Sequence, residues 1–276
     1  MNPLGLPFRL GATSYVIPDD ILANARHLAG SVDDVELVLF EADDDCGNLP
    51  VPETIRELAA LAASHGMSYT VHLPLDLRLA EGDREGDGSL LRAGEVITRT
   101  RLLDPRAYVT HLDGKRLVEA EQSGALSGRA LAAARARWRD ETVRGLEALA
   151  ALAGGPGLIA VENLEGYPPD FNDPVLEALP VSRCVDVGHL WLDGHDPMPY
   201  LAAALPRTTV IHLHGIQGRD HKSLAHVPEA RLRAVLSLLL KARYAGVLTV
   251  EVFGEEDLQT SVAALREALR SPWASA

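Results

Sequence analysis

The sequence predicts an α/β chain folded as one (β/α)8 barrel, with residues 1–276 forming a single domain, and three observations carry that expectation. Eight short apolar runs alternate with stretches of helical periodicity in about 250 residues, the size usual for such a barrel. The runs are β-branched and apolar on both faces, as parallel strands covered by helices should be. Six consecutive runs, the third to the eighth, end in His, Asp or Glu, where a barrel collects its active-site groups. Together these favour a closed barrel over a doubly wound sheet.

The first strand spans residues 9–15, and Pro18-Asp19-Asp20 then offers an N-cap for a helix over 21–29. A second strand, 35–40, ends at Glu41, and Pro52 opens a helix that closes at His65-Gly66. The third strand, 68–71, runs into His72-Leu73-Pro74. A Gly- and acid-rich loop, 80–89, precedes a helix over 90–102. Strand four, 107–110, ends in His111, and the Ala/Arg-rich helix after it, 127–153, is stopped by Gly154-Gly155. Strand five, 158–161, ends in Glu162-Asn163. Strand six, 181–187, carries Asp186, with His189 just beyond. Strand seven opens the run V-I-H-L-H-G-I-Q-G-R-D-H-K-S-L (210–224), and a helix over 229–245 follows it. Strand eight, 247–252, carries Glu251, and a last helix covers 255–269.

Composition narrows the possible functions. With 47% hydrophobic residues and a mean hydropathy near zero, the chain can bury a large core. Its net charge of −13 works against a duplex nucleic acid partner, which is held largely by Lys and Arg neutralising phosphates. Two cysteines, Cys46 and Cys184, make no disulfide framework, so a reducing cytoplasm is the expected setting. The N-terminal run M-N-P-L-G-L-P-F-R-L-G lacks a charged n-region and a long apolar core. Neither a signal peptide nor a membrane span is therefore expected.

The polar residues at the strand ends form the candidate site: His72, His111, Glu162, Asp186, His189, His212, His221 and Glu251. Any one of them has an ordinary structural reading. Glu251 could be a buried ion-pair partner, Asp186 an N-cap, and His111 a hydrogen-bonded core residue. Their repetition at successive strand ends is harder to explain that way, since buried charges are rare unless paired or coordinated. Imidazoles and carboxylates together suit a divalent transition metal, Zn, Mn, Fe or Co, whereas Mg²⁺ or Ca²⁺ alone would seldom need so many histidines. His214, two residues after His212 on the same strand face, is open between ligand, supporting donor and substrate contact, and is grouped here with substrate binding. Arg219 and Lys222 look able to hold a phosphate. His27, His65, His195 and His226 lie in helices or loops without ligand neighbours.

The motifs H-L-P at His72, T-H-L at His111, V-E-N at Glu162, C-V-D-V-G-H at 184–189, I-H-L-H at His212 and V-E-V at Glu251 resemble the xylose-isomerase-like barrel superfamily. Within it they resemble the apurinic-site endonuclease branch. The resemblance covers residues 10–253. It implies that Glu162, Asp186, His212 and Glu251 hold a metal, with Glu162 and Glu251 able to act as acid and base. His72, His111 and His221 extend the set toward a multinuclear centre and phosphoester cleavage. That branch usually shows Asp-x-His in the loop after strand seven, whereas this chain has Arg219-Asp220-His221, so Asp220 is out of register.

The N-terminal run L-G-A-T-S-Y-V-I-P-D-D-I-L through V-D-D-V-E-L-V-L-F-E, with T-V-H-L-P-L-D-L-R-L, Y-V-T-H-L-D-G and G-R-D-H-K-S-L, is similar to the cobamide-remodelling phosphodiesterases of this superfamily. That resemblance implies cleavage of the nucleotide-loop phosphoester of a cobamide, a vitamin B12-type corrinoid. The expectation is a metal-dependent phosphodiesterase with two or three metal sites and Glu162, Glu251 and His189 as catalytic residues. A single-metal sugar isomerase or epimerase is the alternative, and a corrinoid- or metal-binding protein without turnover is a third. Long loops at 80–89 and 164–174, the latter with Tyr167 and Phe171, could act as lids.

Overall fold

The computed structural model describes residues 4–39, 48–75, 77–80 and 84–270. Glu41, Asp43, Asp44, Asp45, Cys46, Glu81 and Asp83 lie outside the described residues. The strands are β1 (Arg9–Thr13), β2 (Asp34–Val38), β3 (Ser68–His72), β4 (Tyr108–Thr110), β5 (Ile159–Glu162), β6 (Ser182–Asp186), β7 (Thr208–Leu213) and β8 (Val247–Val250). They pair in sequence order, all parallel, and β8 closes on β1 to complete the expected barrel. The helices are α1 (Ile21–Leu28), α2 (Pro52–His65), α3 (Arg84–Thr100), α4 (Lys115–Gln122), α5 (Gly128–Ala153), α6 (Asp173–Ala178), α7 (Val187–Leu192), α8 (Pro197–Ala204), α9 (Glu229–Lys241) and α10 (Glu255–Arg270).

Local chemistry sets the element ends. Asp20 caps α1 by accepting from the Ala23 amide at 2.8 Å, and Pro52 occupies the first turn of α2, where its missing N–H leaves no bond unmade. Gly66 then ends α2 with φ of 65°, a conformation that suits glycine. Two expectations are corrected. α3 begins at Arg84, so most of the expected loop 80–89 is helical, and α4, α6, α7 and α8 occupy connections read as loops. The segment 164–174 is also tied down, because the Phe171 ring packs 4.5 Å from Trp138 and 5.1 Å from Tyr167.

Strand residues that point outward join the leucine- and valine-rich layer beneath the helices, with Leu10, Leu37, Val71, Val185, Ile211 and Leu248 all fully buried there. The barrel interior is divided. Ala107, Val109, Ala160, Cys184 and Val210 make a small apolar cluster around β4 to β7. The β8, β1, β2 and β3 side is polar instead, with Thr13, Asp34, Glu36, Thr70 and Thr249 all fully buried. No helix among the described residues is long and apolar enough to cross a membrane.

Candidate metal centre

The closed barrel brings the strand-end residues together. Asp186 and His212 are register partners on β6 and β7, and Glu162 pairs with Cys184, two residues before Asp186. Glu162, fully enclosed on β5, lies at the hub. Its Oε2 is 3.2 Å from His72 Nε2 and 3.1 Å from His111 Nε2, while its Oε1 is 3.1 Å from His212 Nδ1. His212 Nδ1 is also 3.3 Å from Glu251 Oε2 and 3.9 Å from Asp186 Oδ2.

A second group of imidazoles, His189, His214 and His221, flanks this hub. His189 reaches Asp186 Oδ2 at 3.5 Å through Nδ1 and Glu165 Oε2 at 3.4 Å through Nε2. His221 has φ of 50°, uncommon for a residue with a side chain, and lies 3.4 Å from Glu251 Oε2 through Nδ1. Backbone contacts hold the frame. Asn163 exchanges two 2.9 Å hydrogen bonds with the Asp186 backbone, and Asn172 donates to the Glu162 carbonyl at 2.8 Å. Asp186 does act as an N-cap, accepting from the His189 amide at 2.7 Å through Oδ1, which leaves Oδ2 facing the centre.

Burial alone would raise the Glu162 and Glu251 carboxyls, but the surrounding histidines, His212 foremost, more than offset it and hold both well below the usual range. Burial pulls the other way on His189 and His221. There Asp186, Glu162 and Glu251 act on His189 and Glu251 chiefly on His221, lifting each to about 9. So many carboxylates in one enclosed space require positive charge, which protons on imidazole or bound cations can provide.

Two observations test whether the residues fit metal ions. Asp186 Oδ2, Glu251 Oε2 and His214 Nε2 are buried without a hydrogen-bond partner among the described residues, a costly state that coordination would relieve. Glu162, Asp186, His212 and Glu251 each bring one donor atom within 4.8 Å of the others. Tetrahedral ligands about 2.1 Å from one ion would be about 3.4 Å apart, and the 3.1, 3.3 and 3.9 Å separations from His212 Nδ1 bracket that value. His72, His111 and Glu162 form a second such group, Glu162, Cys184 and His212 a third, and His189, His214 and His221 a fourth. The donor set fits divalent transition metals.

The expected site residues differ in where they lie. His72, His111, Glu162, Asp186, His189, His212, His221 and Glu251 all belong to this one cluster. His214 does not fit the substrate contact expected of it: it is fully buried, accepts from the His221 amide through Nδ1 at 3.1 Å, and turns Nε2 to within 3.3 Å of Asp186 Oδ1. Lys222 lies 3.6 Å from Asp257 on α10, tying the loop down, while Arg219 is exposed. Asp220 lies 3.5 Å from His221 Nε2. The residue missed in the sequence is Glu36. It is fully buried on β2, with Oε2 3.0 Å from His212 Nε2. The available signal was a carboxylate within the apolar strand D-V-E-L-V, at a position that alternation turns into the barrel.

Residues 28–271 match the family described as xylose isomerase-like TIM barrel. No curated protein matches the sequence. Among solved structures, a D-tagatose 3-epimerase-like protein is 18% identical with a TM-score of 0.73, over 95% of this chain and 97% of that one. A 3-keto-D-glucoside 4-epimerase from E. coli is 16% identical with a TM-score of 0.68, over 96% of this chain and 100% of that one. Endonuclease IV from Thermus thermophilus is 17% identical with a TM-score of 0.67, over 96% of this chain and 100% of that one. At these identities the likeness lies in the fold.

Proposed function

The chain belongs to the xylose isomerase-like TIM barrel family, and from that premise we propose that it is a metal-dependent hydrolase of a small-molecule phosphodiester, with residues 1–276 acting as one catalytic domain. The observation that carries the reading is the excess of donors. Glu162, Asp186, His212 and Glu251 would suffice for one ion, yet His72 and His111 converge on the second oxygen of Glu162, and His189, His214 and His221 gather on the other side. Two or three divalent ions account for that surplus, and such centres serve phosphoester displacement.

Bound ions would supply Lewis acidity toward the phosphoryl oxygens and make water more acidic. The protein's own groups would do the rest. Glu162 offers one carboxylate oxygen to each half of the centre, so it would set the spacing between ions. Glu251, with Oε2 between His212 and His221, would help hold an ion and orient the water to be activated there. His189, at the edge of the cluster beside exposed Glu165, is placed to return a proton to the leaving alkoxide. Arg219, exposed in the loop after β7, is assigned to the substrate phosphate. A cobamide is the first substrate to try, on the strength of the motif resemblance.

A second reading, a single-metal sugar epimerase, is favoured by one observation. The four-donor group is complete by itself and includes two carboxylates, Glu162 and Glu251, that could act as an acid-base pair. Metal analysis separates the readings: two or three ions per chain support the hydrolase, and about one supports the epimerase.

A further inference from the structure

Glu36 has no place in either reading, yet it lies fully buried at the centre of the barrel. We infer that Glu36 is a positioning residue that fixes the tautomer of His212, holding the proton on Nε2 so that the Nδ1 lone pair is free toward Glu162, Asp186 and Glu251. The inference rests on reading those four residues as a metal site.

An imidazole that binds a metal does so through an unprotonated nitrogen, and its proton must then sit on the other one. His212 has carboxylates on both sides: Glu36 Oε2 at 3.0 Å from Nε2, and Glu162 Oε1 at 3.1 Å from Nδ1. With cations at the Nδ1 side, one proton remains, and its location becomes a choice between the two nitrogens. The Glu36 carboxylate oxygen faces Nε2 as an acceptor at 3.0 Å, so the proton is kept on Nε2 and the Nδ1 lone pair is left directed at the donor group.

The connection spans the barrel interior. Glu36 stands in register with Thr13 on β1 and Thr70 on β3, and His212 with Thr249 on β8, so the carboxylate reaches past β1 and β8 to touch β7. A side chain one methylene shorter would not reach. Apart from His212, the nearest support for Glu36 Oε2 among the described residues is the Thr249 hydroxyl at 3.4 Å, and Oε1 has no partner among them. A carboxylate held this deep is costly unless it serves a partner, and His212 is the partner within bonding distance.

The test compares wild type with Glu36→Gln and Glu36→Asp. Zinc affinity is measured by competition with a chromophoric chelator, and thermal melts of the metal-free proteins monitor folding. The Gln amide can donate to Nε2 and stabilise the opposite tautomer, and Asp falls short, so both variants should bind the tightest ion about 10- to 100-fold more weakly. The ¹⁵N spectrum of zinc-loaded, histidine-labelled wild type, with His212 assigned by its loss in His212→Gln, should show the proton on Nε2. Equal affinity in Glu36→Gln, or a proton on Nδ1 of zinc-loaded wild type, overturns the inference alone. A wild type that takes up no zinc overturns the metal site and the inference with it.

Discussion

Gly188 lies against the ring of His214, where a Cβ atom at position 188 would come within 2.3 Å of the imidazole Cε1 and Nε2 atoms. The glycine in the D-V-G-H motif is therefore a space requirement for the buried histidine behind Asp186. We expect Gly188→Ala to lower stability by about 2 kcal/mol through overpacking, and to lose metal as His214 and Asp186 are displaced. Thermal melts and metal analysis check this. In the double variant Gly188→Ala/His214→Ala the clash is gone, so the combined effect on stability should fall short of the sum of the single ones.

His72 and His111 meet at Glu162 Oε2, and their rings stand edge to face 4.9 Å apart. Their alanine variants should each lose about one ion per chain and lose hydrolysis, while circular dichroism still reports a folded barrel. Full metal content and full activity in either variant would remove the multinuclear reading. Glu162→Gln should fold normally and be inactive, because the amide keeps the shape without the charge.

The outline of the barrel was legible because burial on both faces leaves a continuous apolar run, and such runs are hard to mistake when eight recur with helices between them. The site was legible for a related reason: a barrel strand ends at the mouth, so a histidine after a strand, as at His72 or His111, reads as functional. Glu36 escaped because it sits within its strand, while the polar end of that strand was assigned to Glu41, outside the described residues. The short helices α6, α7 and α8 escaped because six to eight residues carry little periodicity. The caps Asp186 and Asp196 start α7 and α8, and although Asp186 was open to reading as an N-cap, a helix of six residues after it left no pattern to show. His214 was ambiguous because spacing alone gives its strand face but not its depth.

Asp34 gives a prediction about stability and pH. Burial lifts its carboxyl from 3.8 to about 6, against the opposing hydrogen bond from Ser68, and Oδ1 has no partner. The folded state therefore prefers the protonated form. Its advantage is complete below about 3.8 and is lost as the pH rises through about 6. Asp34→Asn should thus stabilise the protein at neutral pH by up to about 3 kcal/mol, with the gain shrinking through that window and vanishing below it. Denaturant unfolding at a series of pH values measures it, and a gain that grows on acidification would contradict the sign.

Charge gives a prediction about DNA. The chain has 39 acidic residues against 26 Lys and Arg, whereas a duplex needs many basic contacts. Metal-loaded protein should leave abasic duplex DNA intact at physiological salt, as a gel assay would show. Efficient incision would point to a basic face opposed to this account.

Hydrolysis and epimerisation are told apart by mass spectrometry of the products. Metal-loaded protein is incubated with a panel of small phosphodiesters, a cobamide among them, and with a panel of ketoses. The account predicts addition of water across one phosphoester bond, giving an alcohol and a phosphomonoester, with the ketoses recovered unchanged. Epimerised ketose at equal mass, resolved by chromatography, together with intact phosphodiesters, would contradict it.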